Sequence, residues 1–273
     1  MFYVIQENLF REHHFTTLTN HLYRHGLEYE IVKYIPFVQK LPVLTTRKDV
    51  WFFGSINGGK VSEPYGWNPG IIFNENFNFD VYLKQYGDYL LNSDAKIQEV
   101  DYVPNWLEGE KFIRPTHDTK SFESNLYTSG QWNKYIEELQ EVGGSFTMMK
   151  LREETKMLYA SPKPDIQQEI RCWVVDGKVV TTSQYRIGRR ISMQNMDNNE
   201  EVYIFCKDML KIYQPAKAFV IDICLYNNDW RIMELGCINH CGFYDADMSK
   251  LIQSLENTFG NEYNSTNKSK VST

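Results

Sequence analysis

The segment AFVIDICL (218 to 225), a polar turn at Asn227, Asn228 and Asp229, and WRIMEL (230 to 235) read as a β-hairpin that carries two acids among apolar neighbours. A three-residue turn at 227 to 229 would pair Tyr226 with Trp230, Cys224 with Ile232 and Asp222 with Glu234. Like charges directly opposite on a sheet repel, so two such acids in an apolar strand pair make sense with a cation between them. Hard carboxylate oxygens suit Mg²⁺, which takes one or two carboxylates and completes its octahedron with water and phosphate oxygens. A slip of one residue would instead send the acids to opposite faces and leave Glu234 as a solvated edge residue.

Other charges could join such a site. Arg114 closes the strand KFIRP (111 to 115), and Lys120 follows in the polar loop THDTKSFESN (116 to 125). Taken singly, Arg114 could pair with a surface acid and Lys120 could be a solvated loop charge. Glu169 and Arg171 stand on a strand of a second hairpin, IRCWVVDGKVVTTSQYR, where Asp176-Gly177 offers the positive-φ residues of a type I′ turn. A two-residue loop there pairs Val175 with Lys178 and sets Arg171 opposite Thr182, whereas a three-residue loop sets Arg171 opposite Ser183. Either residue could instead belong to an ordinary cross-strand ion pair.

These residues need a scaffold of strands and helices. FYVI (2 to 5) reads as a strand, 9 to 25 as a helix, EYEIVKYI (28 to 35) as a second strand, and VWFFGS (50 to 55) and GIIFN (70 to 74) extend the alternation. That order favours an open α/β sheet over residues 1–96. A helix near 79 to 91 ends this region, another is expected at 131 to 141, and the final STNKSKVST reads as a frayed tail.

Composition narrows the function. With 273 residues the chain has room for two compact domains, and 42% hydrophobic and 23% charged residues make an ordinary globular balance. A formal net charge of −6 argues against a nucleic-acid partner. No apolar run reaches the roughly 18 residues of a membrane span, and the first residues lack the pattern of a secretory signal. A cytosolic protein is expected, with its five cysteines as reduced thiols. There is no Walker-type phosphate loop, and Gly58-Gly59-Lys60 reads as a turn into a helix. Cys237, His240 and Cys241 lack the spacing of a structural zinc site. His13-His14 open an amphipathic helix without a nucleophilic or acidic partner nearby.

Taken in order, FIRP with a Lys-Ser a few residues on, an E-x-R-x-W strand running into VVDGKVV, then VID, MEL-x-x-IN and GFYDAD resemble the ATP-grasp superfamily. More closely they resemble a clade found in bacteria and tailed phages in which arginine occupies the usual first-lysine position. The resemblance is densest over 111 to 125 and 166 to 252. It implies an ATP-grasp fold of mixed α/β and α+β character: an amino-terminal α/β (pre-ATP-grasp) domain at 1–96, an ATP-grasp domain of two subdomains clamping ATP at 97–262, and a flexible tail at 263–273.

By the same resemblance Arg114 and Lys120 bind the phosphates of ATP, with arginine's planar fork replacing lysine. Glu169 and Arg171 match the clade's acidic and basic pair, Arg171 facing substrate or γ-phosphate. Asp222, Glu234 and an asparagine form the magnesium set. Where many members read Glu-x-Asn, this chain has Glu234-Leu235-Gly236, so Asn239 is the nearest substitute. MLYAS (157 to 161) is the adenine hinge, with Tyr159 and Ala160 against the base. The implied function is a cytoplasmic ligase, acting in the host cytoplasm if phage-encoded, that joins a small-molecule or peptide carboxylate to an amine through an acyl phosphate. An ATP-grasp kinase, and a nucleotide-binding module without turnover hinted at by Gly236, are the alternatives. The substrates and the oligomeric state are not written in the sequence.

Overall fold

A computed structural model describes residues 1–35, 38–101, 109–117, 121–154 and 156–260, with 142–150 and 152–154 described as backbone only. Lys120 and the expected tail at 263–273 lie outside the described residues. In chain order the elements are β1 (Phe2–Gln6), α1 (Glu12–Arg24), β2 (Tyr29–Val32), β3 (Val50–Phe53), α2 (Ile56–Ser62), α3 (Phe79–Tyr86), β4 (Lys96–Glu99), β5 (Glu110–Pro115), β6 (Asn125–Thr128), α4 (Ser129–Glu154), β7 (Lys156–Ala160), β8 (Gln168–Val175), β9 (Lys178–Ile187), β10 (Arg190–Asn195), α5 (Glu200–Ile212), β11 (Ala218–Tyr226), β12 (Asp229–Gly236) and α6 (Met248–Leu255).

The first three strands form a parallel sheet in the order β2-β1-β3. Parallel strands are covered on both faces, which explains the unbroken apolar run VWFF in β3. Tyr3, Ile5, Trp51 and Phe53 face one core; Val4, Val32, Val50 and Phe52 face another, closed by Val61 of α2. Helix α1 buries His14, Leu18 and Leu22, one stripe at four-residue spacing. The strand expected at 70 to 74 shrinks to a single parallel bridge between Trp51 and Gly70. Gly70 turns the chain at φ 65°, and the Ile72 N–H goes to the side chain of Asn239 instead of to a strand.

A second sheet, antiparallel in the order β4-β7-β5-β6, packs Ile113 and Met157 against Trp132 and Ile136 of α4. Helix α4 runs well past the expected 131 to 141 because Gly143-Gly144, each costing a helix about 1 kcal/mol against alanine, are carried within it and do not end it.

The third sheet is antiparallel, β10-β9-β8-β11-β12. On one face Ile170, Cys172, Val174, Phe219, Ile221 and Ile223 bury against α3 and α5. Helix α5 starts cleanly because Asn199 accepts the Val202 N–H at 3.2 Å while Glu200 and Glu201 complement its N-terminal dipole. The opposite face changes character along its length. Trp173, Val175, Ala218 and Val220 join β1, β3, α1 and α6 in one core, and beyond them the same face continues as Arg171, Glu169 and Asp222.

The β8–β9 and β11–β12 hairpins of this sheet turn in two residues and then bulge. Asp176 and Gly177 have φ of 50° and 71°, Val175 pairs with Lys178, and an extra residue at Val180 then shifts the ladder so that Arg171 lies opposite Ser183. In β11–β12 the turn is Asn227-Asn228, at φ 51° and 65°, not the expected three residues. Tyr226 therefore pairs with Asp229, and Cys224 with Arg231, correcting the expected pairings with Trp230 and Ile232. Asparagine tolerates the left-handed region, and two such residues give the tight turn that matches strand twist. A bulge at Met233 then restores the pairing of Asp222 with Glu234. Without it Asp222 would meet Met233, and Glu234 would point to the other face. Among the described residues no helix is long and apolar enough to cross a membrane.

Candidate active site

A cleft of about 1030 Å³ opens between the second and third sheets. Phe112 and Arg114 of β5 form one wall, Glu169, Tyr185, Met233 and Glu234 the other, and the Pro-rich stretch after β7 closes one end. Its volume sits at the top of the roughly 300 to 1,000 Å³ range of small-molecule and cofactor sites.

Across the third sheet the pairings line up Ser183, Arg171, Asp222 and Glu234 in one row, which puts their side chains on one face. Arg171 grips Asp222 with both ends of its fork, Nε to Oδ1 at 2.7 Å and Nη2 to Oδ2 at 2.6 Å. It also donates from Nη1 to the Gly242 carbonyl at 3.4 Å and lies 5.1 Å from the Tyr244 ring centroid. Arg114 crosses the cleft to donate to Glu234 Oε2 at 2.7 Å. Each of the two facing acids thus has its own arginine, so without a bound cation they do not stand as an uncompensated repelling pair.

The electrostatics follow burial. Asp222 is 3% exposed. Burial pushes its carboxyl up, Arg171 pulls it back, and Glu234 and Glu169 push again, leaving it at about 6. Although burial opposes its charge, Arg171 is held firmly ionised by Asp222. Burial also raises the Glu169 carboxyl, against the pull of Arg186, 3.4 Å away, and of Tyr185. The Tyr185 phenol is pushed up by burial and then by Asp222 and Glu169, so it stays protonated and able to donate.

The other expected site residues are distributed as follows. Asn239 is fully buried, and its carboxamide is taken up by backbone: Oδ1 accepts the Ile72 N–H at 2.9 Å, while Nδ2 donates to the Phe52 carbonyl at 2.8 Å and the Gly70 carbonyl at 3.2 Å. A metal at Oδ1 would compete with the Ile72 bond. Tyr159 packs into the core beneath α4 and Ala160 into the core beneath α5, and the cleft lining resumes just beyond them at Pro162. Cys237 and Cys241 are buried, and Trp173 Nε1 donates to the Cys241 sulfur at 3.2 Å.

Several residues of the site escape the sequence reading. Tyr185 reaches the cleft through a second bulge in β9, between Glu169 and Ile170 on the facing strand. Arg189 reaches it from the β9–β10 turn, whose signal is Gly188, at φ 51°, set among arginines. His14, read as opening a helix with no nucleophilic or acidic partner nearby, accepts the Tyr244 N–H at 3.3 Å.

The donor set fits Mg²⁺. Two carboxylates share one face at paired positions, one of them lining a cleft large enough for a polyphosphate to complete the shell. Among the described residues no group of three or more His, Cys, Asp and Glu is arranged to hold a metal, so a site supplied wholly by such side chains is not found there.

A family model for an ATP-grasp domain, the third family of its clade, matches residues 82–255. Among solved structures, D-cycloserine synthetase DcsG superposes with a TM-score of 0.57 at 11% identity, covering 94% of this chain and 98% of that one. The D-alanine–D-alanine ligase of Bacillus anthracis gives 0.56 at 14%, covering 94% and 91%. The L-amino acid ligase of Bacillus licheniformis gives 0.55 at 12%, covering 86% and 67%. At these identities the likeness is one of fold. No curated protein sequence matches the chain.

Proposed function

We propose, since this chain belongs to that ATP-grasp domain family, that it is an ATP-dependent carboxylate–amine ligase. The observation that carries this reading is the Arg114–Glu234 contact across the cleft. A cation on one sheet and an anion on the other, closed on each other, are the two ends of a clamp. A polyphosphate entering between them exchanges Arg–carboxylate for Arg–phosphate, and frees Glu234 to hold the accompanying magnesium with Asp222. Magnesium, when bound, neutralises charge developing on the transferred phosphoryl group.

In this reading Arg114 takes the place of the usual first lysine and Lys120 adds a second phosphate contact. The strand end at Tyr159 and Ala160, with the Pro-rich stretch after it, receives adenine through backbone groups. Arg171 orients the γ-phosphate or the acid that attacks it, and Glu169 faces the nucleotide from the cleft wall. Asn239 is read as a structural clamp unless it exchanges its backbone partners for the metal. Such chemistry needs positioning and charge neutralisation more than a strong base. Residues 1–96 serve as the amino-terminal domain and 97–262 as the ATP clamp.

The likeness to amino-acid ligases supports amide formation as the outcome. The test follows ADP and inorganic phosphate with Mg-ATP and pooled amino acids and peptides. Phosphate together with a new amide is expected. A phosphorylated product that accumulates would make the protein a kinase, and tight nucleotide binding with no turnover would make it a binding module.

A further inference from the structure

Beside the cleft lies a second cavity of about 270 Å³. Three separate stretches of chain enclose it: residues 9 to 14 at the start of α1, the β9–β10 hairpin, and the segment around Gly242 that follows β12. Tyr185 lines both cavities, and its ring stacks on Tyr244 at 4.9 Å between centroids. Arg171 reaches the same wall through the Gly242 carbonyl and the Tyr244 ring. A molecule seated here would therefore rest against Tyr185, which the cavity shares with the nucleotide cleft, and against Tyr244 and Gly242, behind which stands Arg171.

The walls select by charge. Arg11 and Arg186 line the cavity, Arg186 also reaching Glu169 of the neighbouring cleft at 3.4 Å, and among the described residues no carboxylate lines it. Leu9, Phe10, Ile191 and Met193 make the rest of the wall largely apolar. His14 adds a directed donor. Its Nε2 accepts the Tyr244 N–H, so in the neutral ring the proton sits on Nδ1. Burial, followed by His13, Arg11 and Arg171, lowers the His14 pKa and keeps that ring neutral. Gly242 makes room for it: a Cβ there would come within 2.9 Å of His14 Cε1 and 3.1 Å of Nδ1.

We infer that this cavity holds the acyl donor, and that the donor is a small carboxylate with an apolar side chain and no free ammonium group. The inference deepens the ligase reading and rests on it. The volume falls below the roughly 300 to 1,000 Å³ of drug-sized ligands, so the cavity takes one residue-sized acid and not a length of peptide. A carboxylate meets Arg11, Arg186 and the His14 ring, which line the cavity, while an ammonium entering there faces two guanidinium groups and no lining carboxylate among the described residues. The donor carboxylate oxygen attacks the γ-phosphorus, and the bond to the β,γ-bridging oxygen breaks to release ADP. An amine nitrogen then attacks the acyl carbon, inorganic phosphate leaves with its bonding pair, and the amine proton passes to solvent.

Hydroxylamine serves as a generic amine in the test, because it converts an acyl phosphate to a hydroxamate. The full-length protein with Mg-ATP is offered N-acetyl-leucine, 3-phenylpropanoate, leucine and glutamate. ADP release and hydroxamate are expected with the first two, and kcat/KM at least about tenfold lower with the last two, the scale of one lost charge-assisted contact. Arg11→Gln and, independently, Gly242→Ala should raise KM for N-acetyl-leucine about tenfold while ATP affinity by calorimetry stays at the wild-type value, and in Arg11→Gln, whose side chain is exposed, the melting temperature stays there too. Leucine matching N-acetyl-leucine, or a KM unmoved in both variants, overturns the inference. Calorimetry with ATP on the wild type separates the two readings. Absent ATP binding overturns both, whereas intact ATP binding with donors indifferent to these variants overturns this one alone.

Discussion

The two arginine–carboxylate pairs of the site are alike in distance and opposite in setting. Arg171 and Asp222 lie on neighbouring strands of one sheet, with side chains 12% and 4% exposed; Arg114 and Glu234 lie on different sheets, 14% and 36% exposed. The first pair is part of the folded body, since the β8–β11 ladder holds its two residues side by side on one face. The second is a contact between two bodies with a cleft beneath it, and water reaches it. A buried pair ties its fate to stability, and a wet pair across a cleft is available to a ligand. Similar N–O distances therefore say little about what a pair does.

The largest effect expected from this contrast is at Asp222. Asp222→Asn leaves Arg171 buried without its anion, and should cost about 3 to 5 kcal/mol in urea denaturation of the nucleotide-free protein. An Asp222 held there only to bind metal, with Arg171 free to reach solvent, would show almost no loss. Next is Arg114. Arg114→Ala should weaken ATP binding in calorimetry by about 1.5 to 3 kcal/mol while leaving the unfolding midpoint nearly unchanged; unchanged affinity would remove Arg114 from the phosphate site.

Asp197 extends the comparison to a carboxylate outside the cleft. Burial opposes its charge, but Lys250, the Thr182 N–H and the Thr181 hydroxyl outweigh burial and hold its pKa below the ordinary value. The folded state then binds fewer protons than the unfolded state as this group titrates. Its contribution to stability is complete above an unfolded pKa of about 3.9 and disappears as pH falls through the lower folded value. The stability gap between wild type and Asp197→Asn, measured by denaturation from pH 7 downward, should close only below about pH 4; a gap already closed at pH 5 would contradict the lowered pKa. The smallest effect is at Glu234. With a partly exposed partner in a screened setting, Glu234→Gln should shift the stability of the nucleotide-free protein by less than about 1 kcal/mol, while Mg-ATP-dependent turnover is lost. A stability loss equal to that of Asp222→Asn would erase the distinction between the pairs.

What the sequence discloses of this site divides along physical lines. The hairpin pattern of VIDICL and RIMEL brings Asp222 and Glu234 to within one position of each other, and the expected three-residue turn is what sets them face to face. The path to that pairing is hidden: the turn is one residue shorter and Met233 makes up the difference, and a bulge leaves no compositional mark. Asp176-Gly177 announces its turn but not the extra residue at Val180 that decides the partner of Arg171. The Arg171–Asp222 pairing joins strands far apart in the chain, so neither hairpin foretells it. Asn239 looks like a ligand by its place after Glu234, whereas its bonds go to Phe52, Gly70 and Ile72, which no local pattern connects to it.

The bonds of Asn239 also bear on how the molecule comes apart. One carboxamide near the end of the chain holds three peptide groups near its beginning, and the Met1 amino group and the Tyr3 hydroxyl both close on Glu256. The parallel sheet of β1, β2 and β3 therefore completes its hydrogen bonding only when residues 237 to 256 are in place. A nascent chain emerging from the ribosome carries this sheet before its fasteners, so residues 1 to 72 must wait, partly made, until residues 237 to 256 have been synthesised. Once fastened, the Ile72 amide should exchange with deuterium only on global opening, at the pace of the slowest amides in β11 and not at that of the loop in which it sits.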